Sequence, residues 1–531
     1  MAIPSTLRPA LTANALTVLR ERYLRRDERL RVVETPEEML WRVARSVAHA
    51  DRVFDPQADV EAVAEAFYEA MATLEFLPNT PTLMNAGTPL GQLEACFVLP
   101  IEDSLESIFE TLKHAALIQQ TGGGTGFFFS RLRPAGDIVH STRGIASGPV
   151  SFMTVYDSAS EVMKLGSKRR GANMGVLRVD HPDIREFIAC KRDRSKLTNF
   201  NISVGVTDAF MRAVDQGLGY PLVNPRDGQV WERPPAREVF DLMIENAWES
   251  GEPGWLALDT INRANPTPQL GPMEATNPCA EMPLLPYEAC CLGSIDVGKL
   301  VVPKADGYEV AWPRLAERVR LAVHFLDNVV ELNRYPLPEI ERICLGNRKI
   351  GLGVMGFADL LIRMEIPYDS DEGVTMGERL MAFVESEARE ASVRLAERRG
   401  VFPNFAGSVY DRPDGLRLRN ATVTTIAPTG TISIIANCSS GIEPLFALAY
   451  LKRVFGEVQL SQELHPVFAE IARKRGFYRS DVVREVAEHG SIRDLTEIPA
   501  DVRRLFVTAL DIAPEWHVRM QAAFQRHVDN G

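Results

Sequence analysis

Residues 95–130 read ACFVLPIEDSLESIFETLKHAALIQQTGGGTGFFFS. ACFVLP and GFFFS are short apolar runs of strand character, and the segment between them, SLESIFETLKHAALIQQ, places apolar residues at three- and four-residue intervals, as a helix does. Strand, helix and strand in that order are one unit of an α/β layer or barrel. The alternation continues outward: NFNISVGV (199–206) and NATVTTIAP (420–428) are strand-like, and EVFDLMIENAWESG (238–251) is helical. Two longer amphipathic segments, PRLAERVRLAVHFLDNVVELNRY (313–335) and MGERLMAFVESEAREASVRLAERRG (376–400), are each long enough for roughly six turns and are expected to pack around the sheet.

Upstream of this layer the pattern is helical only. PEEMLWRVARSVAHA and DVEAVAEAFYEAMATLEFL carry helical periodicity, with Pro36 and Asp59 near the expected starts. The reading is therefore a helical N-terminal domain over 1–75 and an α/β catalytic domain over 76–531. The last residues, EWHVRMQAAFQRHVDNG, are patterned as a helix running straight into the terminus, which predicts that the second domain lacks its C-terminal end. No internal repeat or low-complexity linker interrupts the chain.

The composition narrows the partners. With 531 residues, 45% of them hydrophobic, the chain can bury a sizeable core. Lys and Arg number 59 against 71 Asp and Glu, a net charge of -12, which argues against nucleic acid or an anionic membrane as partner. Any anionic ligand must be held by a local site. No segment has the apolar length of a signal peptide or a membrane span, so a cytoplasmic location is expected. Seven cysteines in such a chain do not suggest a disulfide framework, and their chemistry should be catalytic or redox. The nine histidines form no HxxxH pair and there is no CxxC, so no protein-bound metal site is expected.

Asn277-Pro278-Cys279-Ala280-Glu281 spaces an amide, a thiol and a carboxylate two residues apart. In extended backbone all three would share one face. The carboxylate can move a proton, the amide can orient a hydroxyl, and the thiol can cycle through one-electron oxidation. Cys290 follows 11 residues after Cys279, with Cys291 directly beside it; neighbours in extended chain face oppositely, so only one of them should share a site with Cys279. Cys291, Cys190, Cys344 and Cys438 are read as small buried hydrophobes.

Two glycine-containing segments suggest ligand contact. Pro428-Thr429-Gly430-Thr431-Ile432-Ser433 follows a strand-like run and precedes an apolar one, the context of a strand-to-helix turn whose N–H groups can hold anionic oxygens. Gly122-Gly123-Gly124-Thr125-Gly126 lacks both the P-loop ending and the dinucleotide spacing, which excludes a kinase or dehydrogenase reading. Its glycines would let backbone approach a ligand closely.

NPCAEMPLLPYEACCLGSIDV closely resembles the active-site signature of ribonucleotide reductases, particularly the cobalamin-dependent class. LPNTPTLMNAGTPLGQLEACFVLPIEDSLESIF, QTGGGTGFFFSRLRPAGD, GSKRRGANMGVLRVDHPDI and APTGTISIIANCSSGIEPLF resemble the same family in the same order, so the resemblance covers roughly 75–531. It implies a ten-stranded α/β barrel preceded by a helical region, with the radical cysteine on a loop inside. By that resemblance Cys279 is the thiyl-radical residue that abstracts the C3′ hydrogen, Glu281 deprotonates the 3′-hydroxyl, and Asn277 positions the ribose. Cys96 and Cys290 are the thiols that reduce the 2′ position and leave as a disulfide.

The remaining roles follow in the same way. Substrate contacts fall on Thr80, Ala95, Gly124, Pro278, Ala280, Pro428, Thr429, Gly430, Thr431 and Ile432, and effector contacts on Asp103, Ser104 and Arg133. The run Gly166–Gly171 corresponds to the loop that relays effector choice. Implied partners are a ribonucleoside diphosphate, a deoxynucleotide triphosphate effector, a thioredoxin-like reductant and a second copy of the chain, with a second polypeptide to complete the barrel. Adenosylcobalamin is the implied cofactor. The competing readings are a large subunit served by a metal-radical partner and a truncated, non-catalytic nucleotide-binding protein.

Overall fold

A computed structural model of the chain describes residues 6–139, 142–163, 171–305, 307–454, 458–462 and 464–530. Most of the basic run from Gly166 lies outside them. The N-terminal region is helical, as its periodicity predicts. Helix α1 (Pro36–Ala48) starts at a Thr35 capping box closed by Glu38, with Pro36 in the first turn, and α2 (Val60–Ala72) starts at Asp59, whose side chain accepts from the Ala62 N–H.

The strands that matter here are β1 (Phe76–Pro78), β2 (Cys96–Leu99), β3 (Gly124–Phe128), β4 (Asn173–Arg178), β5 (Phe200–Val206), β6 (Gly254–Ala257), β7 (Ala275–Thr276), β8 (Pro283–Leu284), β9 (Ala289–Cys290), β10 (Leu292–Asp296) and β11 (Gly351–Met355). A six-stranded sheet runs β6-β5-β4-β3-β2-β9, and a three-stranded one runs β1-β10-β11. Strands β2 to β6 are parallel, with β9 antiparallel at the edge. The second sheet continues through single parallel bridges, Leu352 to Thr424 and Thr425 to Asn530. These two sheets are the α/β barrel, and NATVTTIAP contributes to it only through the bridges at Thr424 and Thr425.

Outside the barrel pack α3 (Leu105–Gln120), α4 (Pro149–Met163), α5 (Trp312–Leu332) and α6 (Asp371–Arg399), the last two being the long amphipathic segments. Helices α1, α2, α5 and α6 share one apolar cluster with β10 and β11. Their apolar stripes thus close one face of the barrel together.

The expectation that the final helix runs into the terminus is corrected. That helix ends at Gln525, and the chain turns back along the barrel. Asp529 accepts from the N–H groups of Val423 (2.7 Å) and Thr424 (3.1 Å), and Asn530 bridges Thr425. Buried backbone donors must be partnered, and the returning segment partners these.

The N-terminal region is fastened by charge as well as by apolar contact. Asp327, fully buried on α5, meets Arg348 (2.9 Å), Arg399 (2.7 Å) and Arg419 (3.4 Å), and the ring of Phe54 lies under the same three guanidiniums. Arg399 also reaches Asp51 at 2.6 Å. Burial opposes the charge on Asp327, but the three guanidiniums outweigh it and hold the carboxyl at about 2. Asp327→Ala removes the carboxylate that the three cations share, leaving only Glu331 to Arg348 and Asp51 to Arg399, and is expected to cost about 3–5 kcal/mol, read as a lower urea midpoint. With a depressed pKa, this stabilisation is complete above the ordinary value of 3.8 and is lost as pH falls toward about 2.

Candidate active site

Inside the barrel, β2 and β9 bring two thiols together. Cys96 opens β2 and Cys290 closes β9, directly opposite in the antiparallel register, with the Ala95 N–H donating to the Cys290 carbonyl at 3.2 Å. Both side chains are buried, and neither is in a disulfide. Contact with the Cys96 thiol, then burial, pushes Cys290 well above the ordinary thiol range. A facing dithiol in register is the geometry that oxidation to a disulfide requires. Cys291, as its place in the chain predicts, faces the other way; its thiol lies 3.6 Å from the Leu326 carbonyl in the cluster outside the barrel.

Residues 277–281 are not extended, which corrects the sequence expectation of a one-faced row. β7 and β8 pair as a hairpin, and the intervening residues turn: the Ala280 N–H donates to the Asn277 carbonyl at 3.0 Å, with Ala280 in the left-handed region at φ 71°. Cys279 is therefore exposed at the tip, while Asn277 and Glu281 are buried and meet across the base. The Asn277 amide donates to a Glu281 carboxylate oxygen at 2.7 Å, and its own oxygen accepts from the Met282 N–H at 3.0 Å. Amide and carboxylate are thus locked together by the turn and not by alternation along a strand.

The hairpin enters the barrel because β3 lacks side chains where it passes. A Cβ on Gly124 would lie 2.8 Å from the Pro278 ring, and one on Gly126 would lie 1.9 Å from the Thr276 carbonyl oxygen. Asn201 of β5 clamps the tip, donating to the Pro278 carbonyl at 2.7 Å. The interior apolar cluster joins Ala95, Cys96, Cys290, Met282 and Ala427, with Ala280 packed against it. Thiol pair, hairpin and the approach to the Pro428 turn therefore share one chamber.

The other predicted residues are placed as follows. Thr429 adopts φ 51°, its hydroxyl accepts from the Gly441 N–H at 2.8 Å, and the short helix α7 (Ile432–Ala436) starts after Thr431, so Pro428–Ile432 forms the expected strand-to-helix turn. Nothing lies within 4 Å of a Cβ built on Gly430, which leaves that turn open. Thr80 begins a short helix and its hydroxyl is 2.8 Å from that of Tyr23. Arg133 and Asp103 pair at 2.8 Å on the outer side of the sheet, and Ser104 caps α3.

Sequence reasoning missed Gly126 and Asn201. The glycine run carried the signal for the first, since close backbone approach was read across Gly122–Gly126, but toward a ligand and not toward the hairpin. A lone Asn inside a strand pattern carries no signal at all. The one group of three metal-ligating side chains among the described residues, Glu485, Glu488 and His489, is on a helix far along the chain from the chamber. None of the described helices is long and apolar enough to cross a membrane.

Comparison with known proteins finds similarity along nearly the whole chain. The family model "Ribonucleotide reductase, all-alpha domain" matches residues 10–91, and "Ribonucleotide reductase, barrel domain" matches 94–531. The chain is 54% identical to the vitamin B12-dependent ribonucleoside-diphosphate reductase of Mycobacterium tuberculosis (strain CDC 1551 / Oshkosh), over 98% of this chain and 74% of that protein. It is 48% identical to the vitamin B12-dependent ribonucleoside-diphosphate reductase of Thermoplasma acidophilum, with the same coverage of 98% and 74%. Among solved structures, the Actinobacillus ureae class Id ribonucleotide reductase alpha subunit shares the fold, with a TM-score of 0.79 at 22% identity over 98% of this chain and 90% of that one.

Proposed function

The chain belongs to the ribonucleotide reductase family, and from that premise we propose that it reduces ribonucleoside diphosphates to 2′-deoxyribonucleotides by thiyl-radical chemistry with adenosylcobalamin as cofactor. The observation that carries this reading is the chamber itself: a buried dithiol in register, Cys96 and Cys290, beside a hairpin that ties Asn277 to Glu281 and presents Cys279 at its tip. The relatives at 48–54% identity are named as B12-dependent, whereas a subunit alpha from Chlamydia muridarum matches at 27%.

The roles follow from position. Adenosylcobalamin, when bound, would supply the radical that starts the chemistry, and Cys279 is the residue fitted to give up its thiol hydrogen atom, because it is exposed at the tip while the reducing pair is buried. Cys279 then takes the C3′ hydrogen of the ribose and later returns it. Glu281 accepts the 3′-hydroxyl proton, with Asn277 fixing both carboxylate and ribose. The 2′-hydroxyl leaves as water with a proton from one thiol of the pair, and the hydrogen of the other thiol goes to C2′. Cys96 and Cys290 thereby give up two electrons and close a disulfide, and Glu281 returns its proton to the 3′-oxygen. The Pro428–Ile432 turn, with Ala95, Gly124, Pro278, Ala280 and Thr80, forms the substrate site, the backbone N–H groups of the turn meeting the diphosphate.

DTT-driven conversion of CDP to dCDP with added adenosylcobalamin and an effector tests this reading. Glu281→Gln keeps the shape but cannot accept a proton, so kcat should fall by about 10²–10⁴-fold while CDP affinity changes little. An unchanged kcat would remove Glu281 from the chemistry.

The remaining partners belong to the same proposal. Asp103, Ser104 and Arg133 bind a deoxynucleotide triphosphate effector. A homodimer is supported by α3 and α4, which pack together and leave Leu105, Phe109 and Leu117 of one and Val155 and Val162 of the other exposed. A thioredoxin-like protein reopens the disulfide, and the location is cytoplasmic. The helical domain spans 1–75 and the barrel 76–531.

A further inference from the structure

Glu94 lies two residues before Cys96 and is almost wholly buried, at 1% exposure. Its hydrogen bonds define its protonation state. The Tyr335 hydroxyl is 2.9 Å from the Val330 carbonyl and 3.3 Å from Glu94 Oε1. A hydroxyl has one hydrogen, and a carbonyl can only accept, so that hydrogen belongs to Val330. The Tyr335 oxygen then faces Glu94 with a lone pair, and the contact is attractive only if Glu94 carries the proton. The second carboxyl oxygen, Oε2, has no hydrogen-bond partner, which a buried carboxylate would not tolerate.

Among the described residues, the cation that favours ionisation of Glu94 is Arg348, and other carboxylates share it. The nearby Arg348 is committed to Asp327 and Glu331, and Lys349 to Glu288 at 2.7 Å. The other groups facing Glu94 are Tyr335, Cys344, Glu288 and the thiols of Cys290 and Cys291. Burial raises Glu94 to about 8, with the Cys344 contact and the Arg348 charge pulling the other way. Once ionised, its charge acts on Cys290 and disfavours the thiolate there.

We propose that Glu94 is a positioning residue that stays a neutral acid behind the Cys96–Cys290 pair, and that its deprotonation brakes thiol–disulfide exchange at that pair. The proposal rests on the reading of Cys96 and Cys290 as the reducing thiols. In the exchange a reductant thiolate bonds to one sulfur of the disulfide, the S–S bond breaks, and the electron pair stays on the leaving sulfur, which takes up a proton. The second reductant thiolate then displaces the remaining cysteine and leaves as the reductant's own disulfide. A carboxylate whose charge reaches the leaving sulfur of Cys290 opposes the charge that forms on it, whereas a carboxylic acid does not.

The test oxidises the chain with diamide, confirms the Cys96–Cys290 disulfide by peptide mass, and follows its reduction by DTT from pH 6.5 to 9.5. The wild-type rate should climb as DTT ionises and flatten above pH 8. Glu94→Gln, which imitates the neutral acid, should keep climbing, matching wild type at low pH and exceeding it about fivefold at pH 9. Tyr335→Phe, which removes the hydroxyl oxygen that accepts from the neutral acid, should move the flattening to lower pH. Parallel profiles for wild type and both variants overturn the proposal. A chain that forms no Cys96–Cys290 disulfide overturns the reading of the pair itself, a separate failure seen at the peptide-mass step.

Discussion

Cys279→Ala should abolish DTT-driven formation of dCDP in the presence of adenosylcobalamin while leaving CDP binding and the unfolding midpoint close to wild type. The stability half of this expectation comes from position: Cys279 is exposed at a hairpin tip, and exposed substitutions usually shift stability by no more than about 0.5 kcal/mol. The activity half comes from chemistry. An S–H bond is close in strength to an activated ribose C–H bond, so a sulfur radical can take the C3′ hydrogen and return it nearly without cost. Alanine offers no such hydrogen, and the O–H of Cys279→Ser is too strong to be opened and closed in the same way, so serine should be as inactive as alanine. Turnover surviving in either variant would move the radical to another residue.

The second large effect is expected at a residue that touches no substrate. Gly126→Ala puts a methyl carbon 1.9 Å from the Thr276 carbonyl oxygen. Real Cβ contacts are essentially never shorter than 3.0 Å, so one partner must move by about 1 Å. β3 cannot retreat, because it is paired with β2 on one side and β4 on the other. The hairpin stem must shift, and Cys279 with it. Overpacking of this kind costs about 1–3 kcal/mol, and misplacement of a reacting group by about 1 Å costs on the order of 10²-fold in rate. The check is kcat alongside a thermal melt: a folded, nucleotide-binding Gly126→Ala chain with greatly reduced kcat is the expected result. Full activity would mean that the stem has room to yield.

These two residues also divide what could be read early from what could not. Cys279, Glu281 and Asn277 stand within five residues, and the chemistry of amide, thiol and carboxylate is a property of the residue types, so the local sequence sufficed to select them. The backbone that joins them was misjudged as extended. Pro278 and the left-handed Ala280 turn the chain there, and the Asn277–Glu281 contact closes across the turn. The α/β class was legible because strand and helix periodicities differ, and the helix starts at Pro36 and Asp59 were legible because caps satisfy local N–H groups.

Local periodicity and residue chemistry act over a few positions, and those are what the sequence by itself determined: alternating strands and helices, a helical N-terminal region, and a set of residues fit for radical and thiol chemistry. The tertiary structure alone decided which residues meet across the barrel. Cys96 and Cys290 oppose each other only because β9 pairs antiparallel with β2. Gly126 matters only because a hairpin 150 residues later along the chain, at Thr276, passes over it. Glu94 is buried and meets Tyr335, itself donating to Val330, only because folding brings residues 241 positions apart together. Contacts between residues so far apart in the chain are set by how whole sheets and helices close over a common core, and no local pattern encodes the distance between them.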